Sequence, residues 1–433
     1  MQRYDSYKDS GVKWLGEIPS HWEVLPGLAI FKENKEKNSN LAVNTVLSLS
    51  YGKIVVKKDI DEGLVPAEYN TYQIVHPGYI IIRCTDLQND KVSLRTGLVK
   101  DDGIITGAYL GLVTNGKYNS SFMHYFLHAW DITKEIYRHG NGLRQSLSWL
   151  DLRRLPILIP PIAEQTAIAN YLDTATAKID AAIAQQQKMI DLLNERKQII
   201  INRAVTKGLN PNAKMKDSGV EWIGEIPEGW SFVRLKHLST IISKGTTPST
   251  IGREILSNGN IRFIKAENIV KNEVSAFPEF YIDKTTHQIL KRSNLKAGDL
   301  LFVIAGATIG KVAILPEKMT PANTNQAISF IRLTNRNNVK YVWLVLQSDI
   351  TKKYIWENAV QSAQPNISME DLGNIQIPLP TNEDERHKIL SYVESQIEPI
   401  DKSIDSCIKQ ISLLQERKQI IINEVVTGKV KVV

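Results

Sequence analysis

The chain has 433 residues, enough for two or three domains with separate cores. With 42% hydrophobic and 23% charged residues, its composition is that of a folded globular protein and excludes a disordered chain. The net charge of +7 excludes neither nucleic acid nor an acidic partner, so its distribution along the chain matters more than its size.

Taken in chain order, Met1-Gln2-Arg3-Tyr4-Asp5 lacks the apolar run of a secretion signal. Lys8-Asp9-Ser10-Gly11-Val12-Lys13-Trp14-Leu15-Gly16-Glu17-Ile18-Pro19 follows, with Trp22 close behind. In the next stretch, Pro77-Gly78 signals a turn into the strand Tyr79–Ile82, and Phe122 to Tyr137 reads as a helix. From Val24 to Leu155 there are 16 Lys and Arg against 13 Asp and Glu, +3. Then Ile168, Leu172, Ile179, Ile183, Ile190 and Leu193 recur at steps of 4, 7, 4, 7 and 3, one apolar stripe on an α-helix. No Pro or Gly interrupts Ala163 to Lys207, so the helix can run for roughly 40 residues, about 60 Å. Pro160-Pro161 precedes it and Gly208 closes it.

The pattern then starts again. Lys216-Asp217-Ser218-Gly219-Val220-Glu221-Trp222-Ile223-Gly224-Glu225-Ile226-Pro227 repeats the opening segment 208 residues later, and Trp230 matches Trp22. From Phe232 to Ile375 there are 18 Lys and Arg against 11 Asp and Glu, +7, and the rest of the chain is −3. Here Ile261–Ile264 and Leu300–Ile304 read as strands, Gly298-Asp299 as a turn, and Tyr341 to Ile355 as an amphipathic helix. Pro380 precedes a second stripe of Ile389, Val393, Ile400, Ile404, Ile411 and Leu414 at the same steps, and Gly428 closes it. Glu195-Arg196-Lys197-Gln198-Ile199-Ile200-Ile201-Asn202 recurs unchanged as Glu416 to Asn423, now shifted by 221. The frame is thus duplicated while the two inserts, Val24–Leu155 and Phe232–Ile375, show no alignment. A long one-stripe helix is unstable alone in water, so the two are expected to bury their stripes on each other as an antiparallel pair.

Catalytic constellations are missing. Ala305-Gly306-Ala307-Thr308-Ile309-Gly310-Lys311 approaches a phosphate-binding loop, but Val312 stands where a magnesium-binding hydroxyl is needed. A turn letting backbone and Lys311 approach a DNA phosphate is the better reading. His124 and His128 have metal-ligand spacing without the glutamate between them or a third ligand, which favours a structural role. There is no Asn-Pro-Pro-Tyr methyltransferase motif and no Gly-x-Ser-x-Gly elbow. Cys84 and Cys407 lie far apart, as in a reduced, cytoplasmic protein, and no segment is long and apolar enough for a membrane span.

The duplicated frame, the run Ile157-Leu158-Ile159-Pro160-Pro161…Glu164-Gln165…Ile168, its counterpart Ile377-Pro378-Leu379-Pro380…Glu385-Arg386…Ile389 and the Glu195–Asn202 block resemble the specificity subunits of type I restriction-modification systems. Arg386 departs from the more typical residue, Gln165 in the first copy. In the second insert, Lys244-Gly245-Thr246-Thr247-Pro248, Gly298–Leu301, Thr308–Lys311 and Gln361 to Ser368 resemble landmarks of that family's target recognition domains.

The resemblance implies an α/β (α+β) fold, with two target recognition domains separated by a pair of long antiparallel coiled-coil helices in a pseudo-two-fold duplication. Its divisions are a repeat element 1–23, recognition domain 24–155, helix 156–208, linker and second repeat element 209–231, recognition domain 232–376 and helix 377–433. It also implies a non-catalytic chain that binds double-stranded DNA, each domain reading half of a bipartite asymmetric target. Two modification subunits, and through them restriction subunits, would be its partners, and S-adenosylmethionine, ATP and Mg2+ would be bound by those partners, with no cofactor here.

Base reading calls for Arg, Lys, Asn or Gln, while hydroxyls mostly hold phosphate. On that ground the candidate DNA contacts are Tyr51, Lys53, Arg83, Arg95 and Arg144 in the first domain. In the second they are Lys244, Thr246, Lys265, Asn268, Thr308, Lys311 and Gln364. A DNA-binding scaffold outside restriction, a nuclease and a long-helix adaptor are the alternatives.

Overall fold

The structure is a computed structural model that describes residues 2–57, 69–90, 92–139, 146–220, 223–360 and 365–432. It divides into two compact units, one of residues 1–187 and 408–433 and the other of residues 188–407. Both long helices form without a break, Ile162–Lys207 and Glu383–Val426. Gly208 and Gly428 end them in left-handed conformation, at φ 68° and 74°. The second helix runs through Pro399, which has no N–H for the carbonyl one turn back. Glu164 and Glu385 favour the helix N-termini by charge. Beside them, Gln165 donates to the Pro160 carbonyl at 2.8 Å and Arg386 to that of Pro380 at 2.6 Å, so the departure at Arg386 keeps the same bond.

In the first unit the start of the first helix lies beside the end of the second. Ile168, Leu172 and Ile179 share one core with Ile421, Ile422, Val425 and Val426, and Lys418 pairs with Asp180 at 2.6 Å. In the second unit the roles are exchanged. Ile201, Ala204 and Val205 from the end of the first helix pack with Ile389, Leu390 and Val393, and Lys197 pairs with Asp401 at 2.6 Å. Within each unit the helices are therefore antiparallel. Of the stripe, Ile168, Leu172, Ile179, Ile190, Ile389, Val393, Ile400 and Ile404 are buried, and Ile183, Leu193, Ile411 and Leu414 are half-buried. The repeat elements cover the helix ends: Gly428 lies against Pro19 and Trp22, and Gly208 against Trp230 and Pro227.

Each insert enters and leaves through one two-stranded antiparallel ribbon. Glu23–Pro26 pairs with Pro156–Ile159, and Trp230–Arg234 with Gln376–Pro380. Beyond the ribbons the unalignable inserts build the same sheet. In the first, Phe31–Glu33, Leu110–Thr114, Ile80–Ile82 and Thr96–Leu98 lie side by side, all antiparallel. In the second, the neighbours are Ser239–Lys244, Ile328–Leu333, Leu300–Val303 and Val312–Ile314. Numbered along the chain within each sheet, both orders are 1-4-2-3. The same turn leads into the second strand of each: the Gly78 N–H donates to Val99 and the Gly298 N–H to Leu315, both at 2.9 Å. The second insert adds a four-stranded sheet in which Ile261–Ile264 pairs parallel to Ala322–Thr324.

Two helix expectations need correction. Phe122 to Tyr137 is the helix Ser120–Ile132 followed by a 3-10 turn, Glu135–Arg138, because Lys134 adopts φ 63°. Tyr341 to Ile355 is two helices, Val339–Leu346 and Asp349–Asn358, with Ser348 starting the second from an extended conformation.

His124 and His128 stand on the helix Ser120–Ile132. His128 is buried, its Nδ1 3.0 Å from the Thr96 hydroxyl, and the Nε2 of His124 is enclosed. Among the described residues no group of three His, Cys, Asp or Glu could hold a metal. Burial pushes His124 down to about 4 and His128 to about 3. Both fall below the ordinary histidine value, so the unfolded chain takes up protons that the fold refuses. Stability is full above about pH 6.5 and is lost as pH falls toward 4. Denaturant unfolding at pH 7 and pH 5 should differ by on the order of 2 kcal/mol per histidine. Replacing both by Gln should flatten that dependence; an unchanged slope would contradict the assignment.

Candidate nucleic-acid interface

In the second recognition sheet the register gathers the candidate contacts at one end. Lys244 ends its strand opposite Ser329, and Val303 ends the neighbouring strand opposite Ile328, so both chains leave the sheet beside the start of the same central strand. From there the turn 245–247 and the loop 304–311 emerge together. Gly245 crosses the chain so closely that a Cβ would stand 1.9 Å from the Thr324 carbonyl, which only glycine permits. Thr246 N–H then donates to that carbonyl at 3.0 Å. Ile264 pairs with Thr324 as well, which brings Lys265 to the same end.

The loop 304–311 turns at Gly306 and Gly310, both at φ 89°, and presents half-buried Thr308 and exposed Lys311. It joins two antiparallel strands, whereas a phosphate-binding loop joins a strand to a helix; its likeness to one ends there. Lys244 is also exposed. Lys265 is partly engaged, its Nζ 3.5 Å from the Phe280 ring centre and 3.4 Å from Glu267. Exposed Gln326 belongs with this group, in the link between Ala322–Thr324 and Ile328–Leu333. Nothing in the sequence marks it, because its place depends on pairing between distant strands.

Asn268 is a correction. It is buried, its side chain accepting from the Lys265 N–H at 3.0 Å and donating to the Pro278 carbonyl at 2.8 Å, so it shapes the loop from inside.

The first domain is less concentrated. Tyr51 is 92% exposed, at the tip of the hairpin Leu47–Ser50 and Lys53–Val56. Lys53 turns to the first long helix, with its Nζ 2.9 Å from Asp180. Arg83 begins the loop that corresponds to 304–311 and pairs with Asp90 at 3.1 Å. Hydrogen bonds from Ser93, with the Arg83 charge as a smaller contribution, hold the Asp90 carboxyl down at about 2.

Arg95 is the second correction. It is fully buried and donates to the carbonyls of Arg83, Thr85, Asp86 and Asp90 and to the Tyr137 hydroxyl, with none left for a base. Arg144 and Gln364 lie outside the described residues. The chain resumes after them in the same way, Leu147 N–H donating to Cys84 at 2.9 Å and Ile367 N–H to Ile304 at 3.0 Å.

Residues 227–410 match the profile of the type I restriction modification DNA specificity domain. The MjaVIII type I restriction enzyme specificity subunit of Methanocaldococcus jannaschii is 30% identical over 286 residues, 64% of this chain and 63% of that protein, so the match spans less than two thirds of that relative. A putative MjaX specificity subunit from the same organism is 26% identical over 455 residues, 98% of both chains. A solved structure from work on assembly and conformational transition of the type I R-M system shares the fold, with TM-score 0.64 at 15% identity over 95% of this chain and 99% of that one.

Surface and interior arginines and lysines should separate in experiment. Arg95→Ala leaves several buried carbonyls without a donor and should cost on the order of 3 kcal/mol in denaturant unfolding. Lys311→Ala should leave unfolding unchanged and lower the salt slope of duplex DNA binding by about one. The reverse pattern would refute the placement.

Proposed function

The chain belongs to the specificity subunits of type I restriction-modification systems, and from that premise we propose that it supplies DNA sequence recognition to such a complex without catalysing a reaction. Each recognition domain binds one half of a bipartite asymmetric target in double-stranded DNA, and the long helices set the gap between the halves. Two modification subunits dock on the helices and methylate adenine with S-adenosylmethionine. Restriction subunits joining through them bring ATP and Mg2+, and this chain holds no cofactor. Its work lies in the cytoplasm, with the DNA; among the described residues no helix is long and apolar enough to cross a membrane.

One observation carries the reading: the recognition sheets share an order and differ in sequence, while the helices carry one outward face twice. On the first helix Leu192 and Ile199 are 50% and 57% exposed around Arg196. On the second, Leu413 and Ile420 are 54% and 47% exposed around Arg417. These positions are equivalent under the 221-residue shift, and among the described residues neither arginine has an ion-pair partner. Branched aliphatics spaced by seven around a free guanidinium suit an amphipathic helix bearing a carboxylate. Two equal faces suit two copies of one partner, and two unlike sheets suit two unlike half-sites.

Native mass spectrometry of the chain co-expressed with its modification subunit should find two partners per chain. Leu192→Asp alone should leave one, and adding Leu413→Asp should leave none; two partners retained by the double variant would refute these faces. Deleting two turns from both helices should shorten the gap in the methylated motif and leave its half-site bases alone. Methylome sequencing that showed altered bases would refute the ruler.

A further inference from the structure

The recognition domains reach the long helices at a second place, by the same device built from different residues. In the first, Ser50 pairs with Lys53, so the hairpin turns on Tyr51 and Gly52, both left-handed at φ 47° and 75°. In the second, Val270 pairs with Glu273, and the turn is Lys271 and Asn272, at φ 49° and 59°. Left-handed Tyr and Lys are uncommon and persist only where surroundings hold them. Here they are held. Gly52 lies against Leu94, and Asn272 donates to Gln347 at 2.7 Å and accepts from the Trp343 indole at 3.3 Å.

From each tip one lysine reaches a helix carboxylate. Lys53 Nζ lies 2.9 Å from Asp180, and Lys271 Nζ 2.8 Å from Asp405. Asp180 takes Lys418 on its other side, and the two lysines outweigh its partial burial and hold its carboxyl below the usual range. Asp405 stands one turn beyond Asp401, the repeat equivalent of Asp180. The hairpins do not align, and the lysine follows the turn in one and lies within it in the other. Unrelated sequences ending in the same contact point to the contact itself as what is needed.

The mechanical reason follows from the ribbons. A two-stranded ribbon is a narrow joint about which a domain can rock. The first ribbon meets its helix at Ile162, and Asp180 is 18 residues further, about 27 Å along the axis. Asp405 is 22 residues beyond Glu383, about 33 Å. A contact at the end of so long a lever stops rocking even when weak. We propose that Lys53 and Lys271 are positioning residues, whose ion pairs with Asp180 and Asp405 fix the orientation of each recognition domain on the helices and so the gap length accepted in DNA. The bases read are set elsewhere. This rests on the bipartite reading above, and it gives Lys53 a role distinct from a DNA contact.

The test is selection from a pool of randomised 40-bp duplexes by the full chain, by Lys271→Glu, and by Lys271→Glu with Asp405→Lys. Both side chains are exposed, so the substitutions leave the fold intact. Wild type should yield a two-part motif with one gap length. Lys271→Glu should keep both half-sites while its preference for that gap over one base pair longer falls about three- to fivefold, as an exposed ion pair allows. The charge swap should restore it, which a purely destabilising change would not. Undiminished gap preference in Lys271→Glu, or loss of half-site bases instead, overturns the tether alone. A wild-type pool without a two-part motif overturns the parent reading and this one with it.

Discussion

Everything in the molecule depends on an exchange of helix ends. Asp180 holds Lys418 and Asp401 holds Lys197, and the members of one pair map onto those of the other under the 221-residue shift. The ion pairs are half-exposed and contribute little by themselves. The apolar contacts beneath them matter more: Ile422, Val425 and Val426 enter the core of the first unit, and Ile201, Ala204 and Val205 that of the second. The first unit joins residues 1–187 to residues 408–433, and the second, residues 188–407, takes in the end of the first helix. Each recognition domain is completed by the end of the other domain's helix.

That exchange frees the inserts to differ. Each is joined to the frame by a ribbon, a capping tryptophan and the helix N-terminus, and these recur in both halves. Beyond the ribbon, the two inserts share buried strands and a lysine contact to a long helix. Ile80–Ile82 and Leu300–Val303 are wholly buried in corresponding strands, whereas the loops that follow, 83–95 and 304–311, have different lengths and chemistry. The variable side chains therefore sit on loops positioned by a rigid sheet.

The frame was legible because a helical stripe is a long, redundant signal, and steps of 4, 7, 4, 7 and 3 occurring twice leave little else to fit. The shared sheet was legible only at its turn, where Gly78 and Gly298 stand before apolar strands. The rest of it was not, because strands demand burial without demanding particular residues, so two sequences can lose all likeness and keep one order. Contacts were the least legible. Arg95 and Asn268 have the donors of base readers, but loops of this kind consume those same donors to satisfy their own carbonyls. Lys53 and Gln326 depend on tertiary neighbours that no local pattern reports. Ser348 and Lys134 broke expected helices through backbone conformation, where the apolar spacing itself was continuous.

The exchange can be tested through one side chain. Ile422 is buried in the first unit although it lies near the other end of the chain. Hydrogen exchange on Ile422→Asp should show faster exchange at residues 17–22 and 162–180, with protection kept at residues 230–235 and 383–393. If exchange quickened only around residue 422, or if residues 17–22 and 162–180 stayed as protected as in the unaltered chain, the exchange of helix ends would be contradicted.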